Sequence, residues 1–275
     1  MSTPPDSETE FGVPIPGRIL PESEWARTAI KRLPPPEEGP LDWAAIFGRE
    51  APVILDLGCG NGRFTLLSAL SRPECDHVAV DLVPAVVRYA TKRANQRGLH
   101  NVRVVVKDAQ SFLRSYVAPG SVAEVHIYHP QPYHDPKDAR YRLITPAFLK
   151  HVHRVLRPGG LFVIQTDSPE YWEYIASVAP AFFTFRAHPE PWPDAPEGRS
   201  RREILARSRG LPIFRGVGTR RDDLTGPDIR EAINTLPLPE FVSRGPWEEL
   251  DALESGGDDR PSPKRSRRPG PRKKR

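Results

Sequence analysis

The chain has 275 residues, 38% of them hydrophobic, with 33 prolines and two cysteines. That length accommodates one domain of ordinary size plus tails, and cysteines outside any CxxC pair exclude a disulfide framework and a cysteine-based zinc site. The net charge of +5 is uneven: eight of the 40 basic residues lie in 261–275, where there is no acid, which leaves 32 against 35 acidic residues, or −3, elsewhere.

The N-terminal stretch MSTPPDSETEFG is polar and acidic with no apolar h-region, unlike a signal peptide. No apolar run approaches the ~20 residues of a membrane span, so a cytoplasmic protein is expected. Residues 1–40 read as an extended arm. LDWAAIFG (41–48) begins the globular pattern, and VILDLG (53–58) is an apolar run ending in glycine, read as a buried strand. A helix follows over 63–71, then strand HVAVD (77–81) and helix 84–98, which has Pro84 at its start and Gly98 at its stop. VRVVVKD (102–108) is the third strand, 110–116 a short helix and VAEVHIYH (122–129) the fourth strand. The helix TPAFLKHVHRVLRPGG (145–160) is expected to begin on Thr145 as N-cap with Pro146 first, and LFVIQTD (161–167) is strand five. AFFTFRA (181–187) and LPIFRGVG (211–218) suit a hairpin at one edge, and after about residue 221 the pattern becomes loop-like with short helical fragments.

Strands alternating with helices at this spacing indicate an α/β fold, an open and mostly parallel sheet with an antiparallel edge hairpin and helices on both faces. The expected divisions are an arm (1–40), a catalytic domain (41–220), a linker (221–260) and a disordered basic tail (261–275). A Pro/Arg/Lys tail cannot bury apolar surface, and it suits the phosphates of RNA.

Asp56-Leu57-Gly58-Cys59-Gly60-Asn61-Gly62 follows the first strand. Glycines there let the backbone approach a ligand closely. A dinucleotide site prefers G-x-G-x-x-G, but Gly62 comes one residue early and Arg63 stands at the third-glycine position. The spacing resembles motif I of class I S-adenosylmethionine (SAM) methyltransferases, whose loop holds the amino-acid half of SAM. Asp81 ends strand two, where a carboxylate can accept ribose hydroxyls. Asp108-Ala109 ends strand three and looks like the family's adenine-contacting pair. The cofactor set is thus Asp56, Gly58, Gly60, Asp81, Asp108 and Ala109.

A narrower resemblance follows from three segments: LDWAAIFGREAPVILDLGCGNG, RGLHNVRVVVKDA and HPQPYHDPKDARYRLITPAFLKHVHRVLRPGGLFVIQTD. With Thr166-Asp167, Ser200-Arg201-Arg202-Glu203 and Gly210-Leu211-Pro212-Ile213-Phe214-Arg215, they resemble the tRNA (guanine-N7-)-methyltransferase family over roughly 40–220. That family's strand-four loop reads approximately FPDPWxKxRHxKRR, and its later motif is Thr-x-x-Glu. Gln131 here replaces the loop aspartate and Tyr133 the tryptophan; Asp135 and Asp138 thin the basic run, while Lys137, Arg140 and Arg142 remain. The resemblance implies N7-methylation of guanosine in tRNA, at the variable-loop position 46, by a monomer or homodimer that uses SAM and no metal. It implies Gln131, Asp167 and Glu203 as catalytic residues, and Tyr133, Thr166, Ser200, Arg140 and Arg142 as substrate-binding residues.

Guanine N7 has a lone pair and no proton, so its methylation needs placement rather than a base. Gln131 can accept from the base's N–H groups and donate to O6, with Asp167 and Glu203 expected to supply negative charge for the cationic product. PQPY is also similar to the [DN]-P-P-[YFW] loop of enzymes that methylate exocyclic amines or glutamine amides, although Gln131 lies between the prolines rather than before them. A non-catalytic SAM-fold RNA-binding protein is the third reading. His126, His129 and His134 match no strong metal-ligand spacing. Arg199, Arg201, Arg202, Arg207 and Arg209 form either a solvated helix face or a phosphate-contacting cluster.

Overall fold

The computed structural model describes residues 8–242 together with Gly245, Leu250 and Leu253; the basic tail and most of 243–260 lie outside them. Its seven-stranded sheet comprises β1 (Val53–Leu57), β2 (Asp76–Asp81), β3 (Val102–Val106), β4 (Val122–Tyr128), β5 (Leu156–Thr166), β6 (Phe183–Ala187) and β7 (Phe214–Arg220). The spatial order is β3-β2-β1-β4-β5-β7-β6. β1 to β5 are parallel, whereas β7 runs antiparallel to both β5 and β6. The order reverses between β1 and β4, so the loops leaving these two strands diverge and open a crevice at their carboxyl ends.

Alternation along the strands divides the core. Val53, Leu55, Leu57, Val78, Val80, Val125 and Ile127 join one apolar cluster with the helices α1 (Trp43–Phe47), α4 (Ala109–Tyr116), α5 (Pro146–Val155) and α6 (Pro169–Val178). Ala79, Val102 and Val104 face a second cluster with α2 (Arg63–Ser71) and α3 (Pro84–Gln96). Local chemistry starts these helices where the sequence indicates. Thr145 Oγ1 accepts from Phe148 N at 3.1 Å and Ser168 Oγ from Tyr171 N at 3.3 Å, each ahead of a first-turn proline; such caps contribute about 1 kcal/mol.

Three features differ from the sequence reading. The helix expected to run to residue 160 ends at Val155, and β5 begins at Leu156. Pro158 cannot donate to a helix, and Gly159 at φ 70° takes the extra length as a bulge in the pairing with β4. The stretch after 221 holds a full helix, α8 (Gly226–Thr235), started by a Thr225/Asp228 capping box, with Ile229, Ala232, Ile233 and Leu236 packed against the first cluster. From Glu8 onward the N-terminal arm lies against the domain: Ile30 N donates to Val104 O, Val104 N donates to Thr28 O, and the arm adds a one-residue bridge to the free edge of β3. No described helix is long and apolar enough to cross a membrane.

Candidate active site

The loop after β1 turns through Gly58, Gly60 and Gly62 at φ 76°, 54° and 81°, a region that L side chains avoid. Gly58 N and Cys59 N donate to Val80 O, and Gly60 N donates to Asp81 Oδ2 at 3.0 Å, which draws the loop over the end of β2. A Cβ on Gly58 or Gly60 would meet nothing within 4 Å, so the space beside the loop is open to a ligand. A Cβ on Gly62 would lie 2.9 Å from Ala90 Cβ; this glycine is required by helix packing.

The three acids at the strand ends differ in setting. Asp56 is buried and accepts from Thr65 Oγ1 at 2.5 Å. Asp81 is half-buried, and its Oδ1 accepts from Val83 N. Asp108 is exposed and caps α4 through Ser111 N, with Ala109 opening that helix. Leu82, Val83 and Val106 are 66%, 48% and 42% exposed beside these acids and form apolar walls. Hydrogen-bond acceptors for a ribose and a cationic amino acid, apolar walls for a planar base, and a glycine turn with open space beside it all fit SAM.

Burial pushes the Asp56 carboxyl up to about 7 against the lowering bond from Thr65, and the charge of Asp81 raises it further. Its folded pKa therefore exceeds the unfolded value of 3.8, and the folded state binds more protons between the two. The stability this group contributes is complete below the unfolded pKa and is lost as pH rises through about 7. Melting of the unliganded protein should accordingly weaken from pH 4 toward 7, and Asp56→Asn should flatten that slope; identical slopes would contradict the assignment.

The loop after β4 forms the other wall of the crevice. His129 and Tyr133 hold φ 52° and 45°, two non-glycine residues in the left-handed region within five positions. Such conformations cost about 1–3 kcal/mol each and persist only where surrounding structure fixes them. Arg142 fixes one side. It is 2% exposed, and its guanidinium donates to Pro132 O, to Tyr133 O at 2.9 Å, to Pro239 O and to Phe241 O at 2.9 Å, while its carbon lies 3.6 Å from the centre of the Phe241 ring. The expectation that Arg142 faces the substrate is not met: the fold uses it to tie the β4 loop to the segment after α8. Arg140 is exposed and lies over the ring of Tyr141. Gln131, between the two fixed prolines, is exposed at the crevice.

The other side is fixed by a buried polar chain. Trp192 Nε1 donates to Gln165 Oε1 at 2.6 Å, which orients that amide so that its nitrogen faces His129 Nε2 at 2.9 Å. His129 Nε2 then accepts, and its Nδ1–H donates to Asp167 Oδ1 at 3.0 Å. Asp167 Oδ2 takes Arg202 Nε at 2.8 Å. Burial raises the Asp167 carboxyl, but His129 and Arg202 outweigh it and hold the group well below the ordinary carboxylate range. Thr166 is buried and its Oγ1 accepts from Ser168 N.

Ser200 and Glu203 start α7 (Arg201–Ser208): Ser200 Oγ accepts from Glu203 N at 3.0 Å, and Glu203 Oε2 accepts from Arg199 N at 2.8 Å. Glu203 Oε1 meets Arg215 at 2.6 Å, and the side chain is 0% exposed. Burial raises this carboxyl too, but the Arg215 bond leads the interactions that bring it below its ordinary value. The structure thus brings Asp167, Thr166, Ser200 and Glu203 together beneath the β4 loop, but as a wall whose acids already have partners. The arginine cluster is neither a solvated face nor wholly phosphate-facing. Arg202 holds Asp167, and Arg199 binds Tyr128 and Asp194 while lying 4.1 Å over Trp192.

His129, Gln165, Trp192, Arg202 and Arg215 were not assigned site roles from sequence. Of these, Arg202 and Arg215 carried a signal, as members of the Ser200–Glu203 and Gly210–Arg215 segments. Glu10 of the arm is a further addition. It is 0% exposed and bonded to Arg93 and to Asn61 of the glycine loop, both at 2.5 Å.

A family model described as "Putative methyltransferase" matches residues 50–214. The chain is 34% identical over 176 residues to a tRNA (guanine-N(7)-)-methyltransferase of Burkholderia cenocepacia, covering 64% of this chain and 68% of that one. It is 30% identical over 193 residues to a tRNA (guanine-N(7)-)-methyltransferase of Alcanivorax borkumensis, covering 70% and 79%. Among solved structures, a 16S rRNA (adenine(1408)-N(1))-methyltransferase from Catenulisporales acidiphilia superposes with a TM-score of 0.48 at 18% identity, over 72% of this chain and 99% of that one. The sheet order, rather than that loose likeness, carries the fold assignment.

Proposed function

The chain belongs to the tRNA (guanine-N(7)-)-methyltransferase family of SAM-dependent methyltransferases, and from that premise we propose that it methylates guanosine N7 in tRNA. The target we take from the family resemblance is the variable-loop guanosine at position 46, and we place the enzyme in the cytoplasm. SAM held by Asp56, Asp81, Asp108 and the glycine loop supplies an electrophilic methyl group. The observation that carries the reading is that the titratable groups packed beneath the β4 loop already have partners among the described residues. Both ring nitrogens of His129 are engaged, and Asp167 and Glu203 are each paired with an arginine. A site so arranged suits a nucleophile that has a lone pair and loses no proton, which describes guanine N7 and not an exocyclic amine.

On this reading Gln131 orients the base through its amide, with the acceptor and both donors at the loop tip. Asp167 and Glu203 act as positioning residues, a change from the charge-supplying role expected for them. The charge passing to the guanine ring is then met by placement in the crevice more than by an unpaired carboxylate. Gln131→Ala should reduce methyl transfer to tRNA by about ten- to a hundredfold while leaving the melting temperature and SAM affinity unchanged, because this side chain is exposed. Unchanged turnover would remove Gln131 from the mechanism. Calorimetric titration with SAM addresses the non-catalytic reading, which predicts no binding.

A further inference from the structure

A cavity of about 750 Å³ lies at the free edge of the sheet between α3 and arm residues 25–33, and shares Val106 with the apolar wall beside Asp108. Among the described residues the arm pairs with β3 only at Ala29–Val104, then turns away into Pro34-Pro35-Pro36, while β3 continues to Val106. The gap keeps an apolar floor of Ile30, Leu33, Val104 and Val106, and Trp25 stands at its mouth, 36% exposed. Its charged lining residues are Lys31, Arg88, Lys92 and Lys107, and no Asp or Glu lines it. Outside 261–275 the chain has more acids than bases, so a carboxylate-free mouth runs against the composition. None of the four cations is in an ion pair with a described residue.

We propose that this edge cavity is an accessory RNA site that takes phosphates and an unstacked base of the tRNA while the target guanosine occupies the crevice. The four cations come from the arm, α3 and β3 and do not converge on one point, as a single small anion would require; spread cations beside an aromatic face suit a nucleic-acid backbone and a stacked base. β3 is three strands from β4, about 15 Å at the usual strand spacing, and Val106 and Lys107 lie at the same carboxyl edge as the β4 loop. One folded RNA therefore reaches both places.

The inference rests on the tRNA reading, and its test separates the two. The full chain and a Lys31→Glu/Lys92→Glu variant are compared by fluorescence anisotropy with labelled tRNA over a salt series, by calorimetry with SAM, and by steady-state methylation. The expected result is tRNA binding weakened about tenfold or more, a salt slope reduced by about one to two, KM for tRNA raised at unchanged kcat, and SAM affinity unchanged. Equal tRNA affinity and salt slope in the two proteins would overturn the site. So would a matching loss of SAM affinity, which would make the cavity part of the cofactor site. Wild-type protein that does not bind tRNA would overturn the tRNA reading itself, and the accessory site with it.

Discussion

Arg142→Ala is expected to lower methyl transfer about a hundredfold and to destabilise the fold by about 3 kcal/mol or more. Four main-chain carbonyls lose their donor at once, and each buried acceptor left unsatisfied costs about 1–3 kcal/mol before the loops relax toward water. The β4 loop would then be free to leave the left-handed conformation at Tyr133. A displacement of about 1 Å at a residue that orients the base is enough for a hundredfold loss. Arg142→Lys keeps the charge but has three donors on a flexible stem in place of a planar fork; it should recover most of the stability and only part of kcat. Since the guanidinium is buried, tRNA affinity should change little in either variant. A variant that loses tRNA binding and keeps kcat would return Arg142 to the substrate-binding role first expected from sequence.

The second large effect concerns Glu203. Glu203→Ala leaves Arg215 buried without its carboxylate and removes the acceptor for Arg199 N, for an expected loss of about 3–5 kcal/mol. Activity should fall with stability, and that variant alone does not separate structure from chemistry. The pair does: Glu203→Gln with Arg215→Met removes both buried charges while keeping an oxygen acceptor for Arg199 N, and removing both members of a buried ion pair costs much less than removing one. If Glu203 acts only by positioning, the double variant should melt near wild type and retain a substantial part of its turnover. A double variant that melts normally with turnover abolished would show that the carboxylate contributes to the reaction directly. Asp167 sits in the corresponding pair with Arg202, and the same logic applies to it.

What could be read from the sequence divides along physical lines. The parallel strands were legible because they are short apolar runs closed by glycine or acid, and most helices because Thr145-Pro146 and Gly98 are local start and stop signals. The positions of Asp56, Asp81 and Asp108 were legible for the same reason: each lies at or just beyond the carboxyl end of a strand. α8 was read only as short helical fragments although Ile229, Ala232, Ile233 and Leu236 have helical spacing and Thr225-x-x-Asp228 is a capping pattern. Arg142 could not be read. An arginine beside Lys137 and Arg140 looks like surface, and the acceptors that bury it are 97 and 99 residues away. Likewise Ser200-x-x-Glu203 looked like a substrate motif, while its use as a helix start and as the partner of Arg215 depends on tertiary packing.

The most direct test of the account is methyl transfer from isotopically labelled SAM to unmodified tRNA, followed by digestion to nucleosides and identification of the labelled product. The account predicts label in 7-methylguanosine, and its loss when guanosine 46 of the transcript is changed. Label in an N-methylated exocyclic amine, or on protein, would contradict it.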